Sequence, residues 1–169
     1  EARLAGTVPE GDAALTQQEI DGFTVFAGKG QCTRCHNGPL MSDAFFHNTG
    51  VTSVQTPVVD FGRAAAIAVV EADPFNCLGS YSDADPAHCG ELRFMSRDIH
   101  LFERAFKTPS LRGVAARPPY MHAGQLLSLP LVIEHYNRAV PAVSGHSELN
   151  ALDLSTSEKA ALRAFLEIL

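Results

Sequence analysis

Gln31-Cys32-Thr33-Arg34-Cys35-His36 carries more chemical information than any other stretch of this chain. Cys-x-x-Cys-His is the pattern of covalent c-type haem attachment. Two thiols three residues apart reach the two vinyl groups on one porphyrin edge, and the next residue brings an imidazole beneath the iron. In a chain of this composition the pattern is expected by chance only about 0.004 times. A thioredoxin-like redox pair has no use for His36. A zinc site needs a second close pair, and the remaining cysteines, Cys77 and Cys89, stand too far apart. The sequence therefore predicts one covalent haem c on Cys32 and Cys35, with His36 as proximal ligand.

Cys77 and Cys89 bracket a run of turn residues, Leu-Gly-Ser-Tyr-Ser-Asp-Ala-Asp-Pro-Ala-His, with little helical or strand periodicity. Thioether attachment of haem takes place outside the cytoplasm, where disulfides also persist. A Cys77–Cys89 bridge is the expectation, and with it a periplasmic or otherwise extracytoplasmic location. The chain opens on Glu1 without a basic and apolar leader, which reads as a mature or truncated product of an exported precursor.

Composition narrows the classes further. The 169 residues are 46% hydrophobic and 19% charged, as in ordinary globular proteins. The formal charge of −6, with no basic run, argues against nucleic-acid binding. The longest apolar run, Ala64 to Val70, is far short of the roughly 20 residues a membrane span needs.

The element order follows from local signals. Residues 1–15 are rich in Ala, Gly, Pro and acids and read as an arm or linker. Residues 16–169 read as one cytochrome c domain. Thr16-Gln17-Gln18-Glu19 is a capping box, followed by Ile20, Phe23 and Phe26 on one helical face, with Gly28 and Gly30 ending the helix. Ser155-Thr156-Ser157-Glu158 is a second box, and Leu162, Phe165, Leu166 and Leu169 form the stripe behind it. A third helix is predicted from Ser128, with Pro130 in its first turn and Val132, Ile133 and Tyr136 sharing a face. Between Met41 and Arg117 loops dominate and any strands are short. The predicted fold is all-α: a c-type cytochrome domain with long irregular loop insertions.

Several stretches together resemble one family. Phe26-Ala-Gly-Lys-Gly-Gln-Cys-Thr-Arg-Cys-His-Asn-Gly-Pro-Leu and Phe46-His-Asn-Thr-Gly-Val are two of them. Phe106-Lys-Thr-Pro-Ser-Leu-Arg-Gly-Val-Ala, Pro119-Tyr-Met-His-Ala-Gly and Val132-Ile-Glu-His-Tyr-Asn are the others. In order and spacing these are similar to the C-terminal haem domain of the bacterial di-haem cytochrome c peroxidase and MauG-like proteins. The family carries two haems in two domains; this chain has one haem motif and no Trp, whereas MauG-like members place a tryptophan between their haems. The resemblance implies a second haem domain or a redox protein as partner. It also implies calcium at an interface with that second domain, partly through backbone carbonyls of the loop matched by Arg117 and Pro119. Tight calcium binding by this chain alone is not expected.

The sixth iron position has rival candidates. Plain cytochrome logic favours Met121, which follows Pro118-Pro119-Tyr120 and would give a high-potential carrier. The resemblance favours Tyr136, at the position where peroxidases have Met and MauG-like members have Tyr; phenolate is a hard donor that lowers the potential. His122, another side chain or an open site complete the set. By the same resemblance His122 lies near the haem and the domain interface, where it donates to a propionate or tunes the haem; as an acid–base group it belongs to the reading with an open distal face. Arg112, rather than Lys107, is the favoured propionate partner, because guanidinium matches a carboxylate in two places. Met41 and Met95 read as packing, and His47, His88, His100, His135 and His146 as surface side chains.

Three functions fit these residues. The first is an electron-transfer haem domain of a di-haem peroxidase or MauG-like oxidoreductase. The second is an enzyme in its own right, with an open distal face and His122 moving protons. The third is a stand-alone periplasmic monohaem carrier with His36 and Met121 on the iron.

Overall fold

A computed structural model describes residues 15–52 and 59–169. Most of the arm expected over residues 1–15 lies outside the described residues. The described chain forms two compact units. One comprises residues 15–45, 108–140 and 149–169, the other residues 46–52, 59–107 and 141–148.

The first unit is built on helices α1 (Gln17–Ala27), α5 (Leu129–Arg138) and α6 (Thr156–Glu167). Both capping boxes form. The Thr16 hydroxyl accepts the Glu19 N–H while the Glu19 carboxylate accepts the Thr16 N–H, and Ser155 and Glu158 repeat the exchange. Each box satisfies amides that the first helical turn leaves without partners. α5 starts after Ser128 with Pro130 in its first turn, although the Ser128 side chain makes no capping bond. Val25, Phe26, Leu129, Ile133, Leu162, Phe165 and Leu166 form the core of this unit. Phe165 meets the rings of Phe23 and Phe26, at centroid distances of 5.5 and 5.2 Å.

Charges then tie the helices to one another. Lys29, just past α1, pairs with Glu158 at the start of α6 at 3.0 Å. The Ser155 amide and then the Lys29 ammonium hold the Glu158 carboxyl below its ordinary range. A carboxyl so lowered stabilises the fold above its unfolded pKa, and that contribution is lost as the pH falls through the folded value. Glu134 of α5 is lowered in the same direction by Lys159 of α6 first and Arg138 second.

The second unit contains α2 (Arg63–Ala72), α3 (Gly90–Arg93), α4 (Ile99–Phe102) and a two-residue antiparallel ladder, β1 (Phe46–His47) with β2 (Phe106–Lys107). The strands are as short as the sequence predicts. α2 is a departure, because the sequence reading gives this region to loops. Its Ala-rich body has high helix propensity and buries Ile67, but Gly62 supplies no side-chain cap to announce it. Arg104, 1% exposed, gives its guanidinium to the carbonyls of Val51 and Asp60. Buried Asn48 donates to the carbonyls of Glu103 and Ser144. His47 differs from its surface expectation: it is half-buried and its Nδ1 lies 2.7 Å from a Glu148 carboxylate oxygen.

Cys77 and Cys89 are bridged, with Cα atoms 5.8 Å apart. Among the described residues of this unit the buried apolar ones are few, Val51, Ile67, Ala105 and Cys89 itself, so a cross-link matters more than in a large core. Replacing both cysteines with Ser is expected to destabilise the folded chain by roughly 3 kcal/mol. Thermal melts of the variant against the parent measure this. Two alkylatable thiols in the unreduced, unfolded parent would reject the bridge.

Candidate haem site

The attachment segment follows a tight exit from α1. The Gly30 N–H donates to the Val25 carbonyl at 2.7 Å, and a Cβ on Gly30 would lie 2.7 Å from that same oxygen, so only glycine makes the return. Cys32–Arg34 then form one 3₁₀ turn closed by the Cys35 and His36 amides on the Cys32 carbonyl. Both thiols stay outside any disulfide. Cys32 packs against the apolar core, with Met41, Leu111 and Tyr120. Burial pushes its thiol up to about 12, so it is protonated at neutral pH.

His36 is half-buried, and its Nδ1 lies 3.0 Å from the Met41 carbonyl oxygen. A carbonyl can only accept, so Nδ1 carries the proton and Nε2 keeps its lone pair for a metal. These residues fit a c-type haem: two thiols three residues apart and outside any disulfide, one of them packed against the apolar core, and an imidazole held through Nδ1. The Met41 carbonyl is a contributor the sequence reading missed, since Met41 there is only packing. A backbone acceptor five residues on leaves no side-chain signal.

The loop carrying that carbonyl is held in turn. Arg112 donates Nε to the Pro39 carbonyl at 2.5 Å, and Ser110 donates to the Leu40 carbonyl at 2.6 Å. Arg112 is otherwise exposed. Arg117 donates to the carbonyls of Gly113, Ser110 and Arg112, stiffening the same loop.

Tyr120 and Leu126 pair through both backbone bonds and enclose a tight loop. Met121 opens that loop in the left-handed region, φ +72°, and is half-buried. His122 is exposed, with Nε2 3.2 Å from the Gln125 amide nitrogen. An amide nitrogen donates, so Nε2 accepts in this arrangement. Tyr136 lies in the last turn of α5, half-buried, with its ring edge-on to His135 at 5.6 Å. Among the described residues no helix is long and apolar enough to cross a membrane.

No family model matches the chain. Individual relatives do. A cytochrome-c peroxidase, IdrP2, of Denitromonas iodatirespirans is 41% identical over 160 residues, which cover 93% of this chain and 41% of that protein. The methylamine utilization protein MauG of Methylorubrum extorquens is 31% identical over 161 residues, covering 94% of this chain and 36% of MauG. A crystal structure of a MauG-like protein associated with microbial copper homeostasis superposes with a TM-score of 0.61 at 26% identity, over 98% of this chain and 50% of that one. The chain thus spans about two fifths of the length of the curated relatives it matches. The mostly helical fold, the Cys32-Cys35-His36 segment and these relatives agree: the chain belongs to the MauG-like di-haem cytochrome c peroxidase family.

Proposed function

We propose that this chain is the C-terminal, electron-transfer haem domain of a peroxidase-type oxidoreductase, working in the periplasm beside a second haem domain. The orientation of His36 by the Met41 carbonyl carries this reading, because it prepares an imidazole for iron next to two thiols outside any disulfide. When bound, haem c supplies a one-electron iron couple able to store or relay an oxidising equivalent. Cys32 and Cys35 anchor it, one haem to the chain. Tyr136 would supply the sixth iron ligand, a phenolate oxygen that would favour ferric iron and exclude small molecules. Arg112 pairs with a propionate through the guanidinium nitrogens that Pro39 leaves unused. His122, whose Nε2 accepts from Gln125, would donate to a propionate or tune the haem from the exposed edge. Calcium belongs to the interface with the second domain, where the Arg117 and Pro119 carbonyls meet ligands from that domain.

One experiment separates this reading from the others. On denaturing gels with a haem stain, colour is expected to stay on the chain, and acid–acetone is expected to extract none. The ferric protein is then mixed with cyanide. A closed sixth position predicts slow, weak uptake, whereas the open-face enzyme predicts rapid, complete uptake. A near-infrared sulfur-to-iron band in the untreated protein would identify the Met121 carrier instead.

A further inference from the structure

Tyr136 stands two residues before the end of α5, where a helix frays most easily because its last carbonyls lack intrahelical donors. A ligand held there is only as well placed as that last turn. The neighbouring Asn137 fastens it. Its side-chain Oδ1 accepts the Leu154 N–H at 2.8 Å, and its backbone carbonyl accepts the Leu152 N–H at 3.1 Å. Leu154 is 6% exposed and belongs to the same core as Ile133, one turn back along α5. The strap is therefore anchored in packed structure rather than in a loose loop.

Two further contacts complete the fastening. The Ala139 N–H caps the Tyr136 carbonyl at 3.3 Å, with Ala139 in the left-handed region. Glu134 pairs with Lys159 of α6 at 3.1 Å. Successive helical side chains point about 100° apart, so Asn137 can face the 152–154 segment while Tyr136 faces elsewhere. One residue holds the turn that carries its neighbour.

We infer that Asn137 is a positioning residue: by bonding the last turn of α5 to Leu152 and Leu154, it fixes the phenol of Tyr136 as the sixth haem ligand. The inference rests on the reading of Tyr136 as that ligand. In Asn137→Ala the Leu154 amide loses its acceptor, the last turn opens, and the ligand leaves the metal more often.

The test uses the ferric haem-loaded protein and cyanide as the probe. Asn137→Ala is expected to bind cyanide about tenfold faster or more, with a larger high-spin fraction in its optical and EPR spectra. Asn137→Asp, which keeps an acceptor at the same place, should restore the parent rate. Phe23→Leu, which loosens the ring contact of α1 with Phe165 of α6 and leaves both Asn137 bonds in place, should leave rate and spectrum alone. If Asn137→Ala yields no folded haem protein, Asn137→Gln takes its place. It keeps an amide but moves the acceptor by one methylene, and faster cyanide binding is again expected. A parent-like rate and spectrum in these variants, while Tyr136→Phe opens the site, would overturn the inference alone. A Tyr136→Phe protein indistinguishable from the parent would overturn the ligand reading and this inference with it.

Discussion

Gly22→Ala is expected to destabilise the folded chain by about 3 kcal/mol, although alanine is the better helix former by about 1 kcal/mol. The two effects have opposite signs, and distance decides between them. Gly22 lies where α1 meets α6, and a Cβ there would fall 2.0 Å from the Ala161 carbonyl oxygen and 2.7 Å from the Phe165 Cβ. The first obstacle is backbone and cannot rotate away. The helices must separate, and Phe26, Leu162 and Phe165 then lose the contacts that interdigitation gives them. A loss of 3 kcal/mol is a large fraction of the 5–15 kcal/mol typical of a domain. Chemical denaturation of the haem-loaded protein reads the result. A variant as stable as the parent would mean that the crossing is not as close as the structure has it.

The helices of this first unit were legible because their signals are local. Thr16 with Glu19, Ser155 with Glu158, and Pro130 after Ser128 each lie within one turn of the terminus they mark. α2 has no such signal at Gly62, and its apolar run reads equally well as a buried loop or strand. The pairing of Phe46 with Lys107 joins residues far apart in the chain, where no periodicity reports a partner. The haem site divides in the same way. Cys32, Cys35 and His36 lie within one short segment and so were readable. The Met41 carbonyl is a backbone atom with no residue type to betray it. Asn137 acts through Leu154, 17 residues on, and in the sequence it is an ordinary polar residue near a helix end. Even Gly22, within a predicted helix, looks like a weakness until α6 is seen to need its missing side chain.

Tyr136→Phe is expected to raise the haem potential by on the order of 0.1 V, within the span of about 0.8 V that axial ligands command. Phenolate is anionic and hard, and favours ferric iron; removing it removes that preference. The phenyl ring remains to pack on α5, so the fold should persist and the sixth position should accept cyanide. Met121 gives the contrast. It occupies a left-handed position at the start of a loop clamped between Tyr120 and Leu126 and is half-buried; on the proposed reading it does not ligate the iron. Met121→Leu should therefore leave both spectrum and potential close to the parent. Thioether ligation requires the opposite pattern: a sulfur-to-iron band in the parent that survives Tyr136→Phe and disappears in Met121→Leu. That pattern would remove Tyr136 from the iron, and Asn137 from any part in holding it there. The domain would then be a high-potential carrier whose α5 serves only the core.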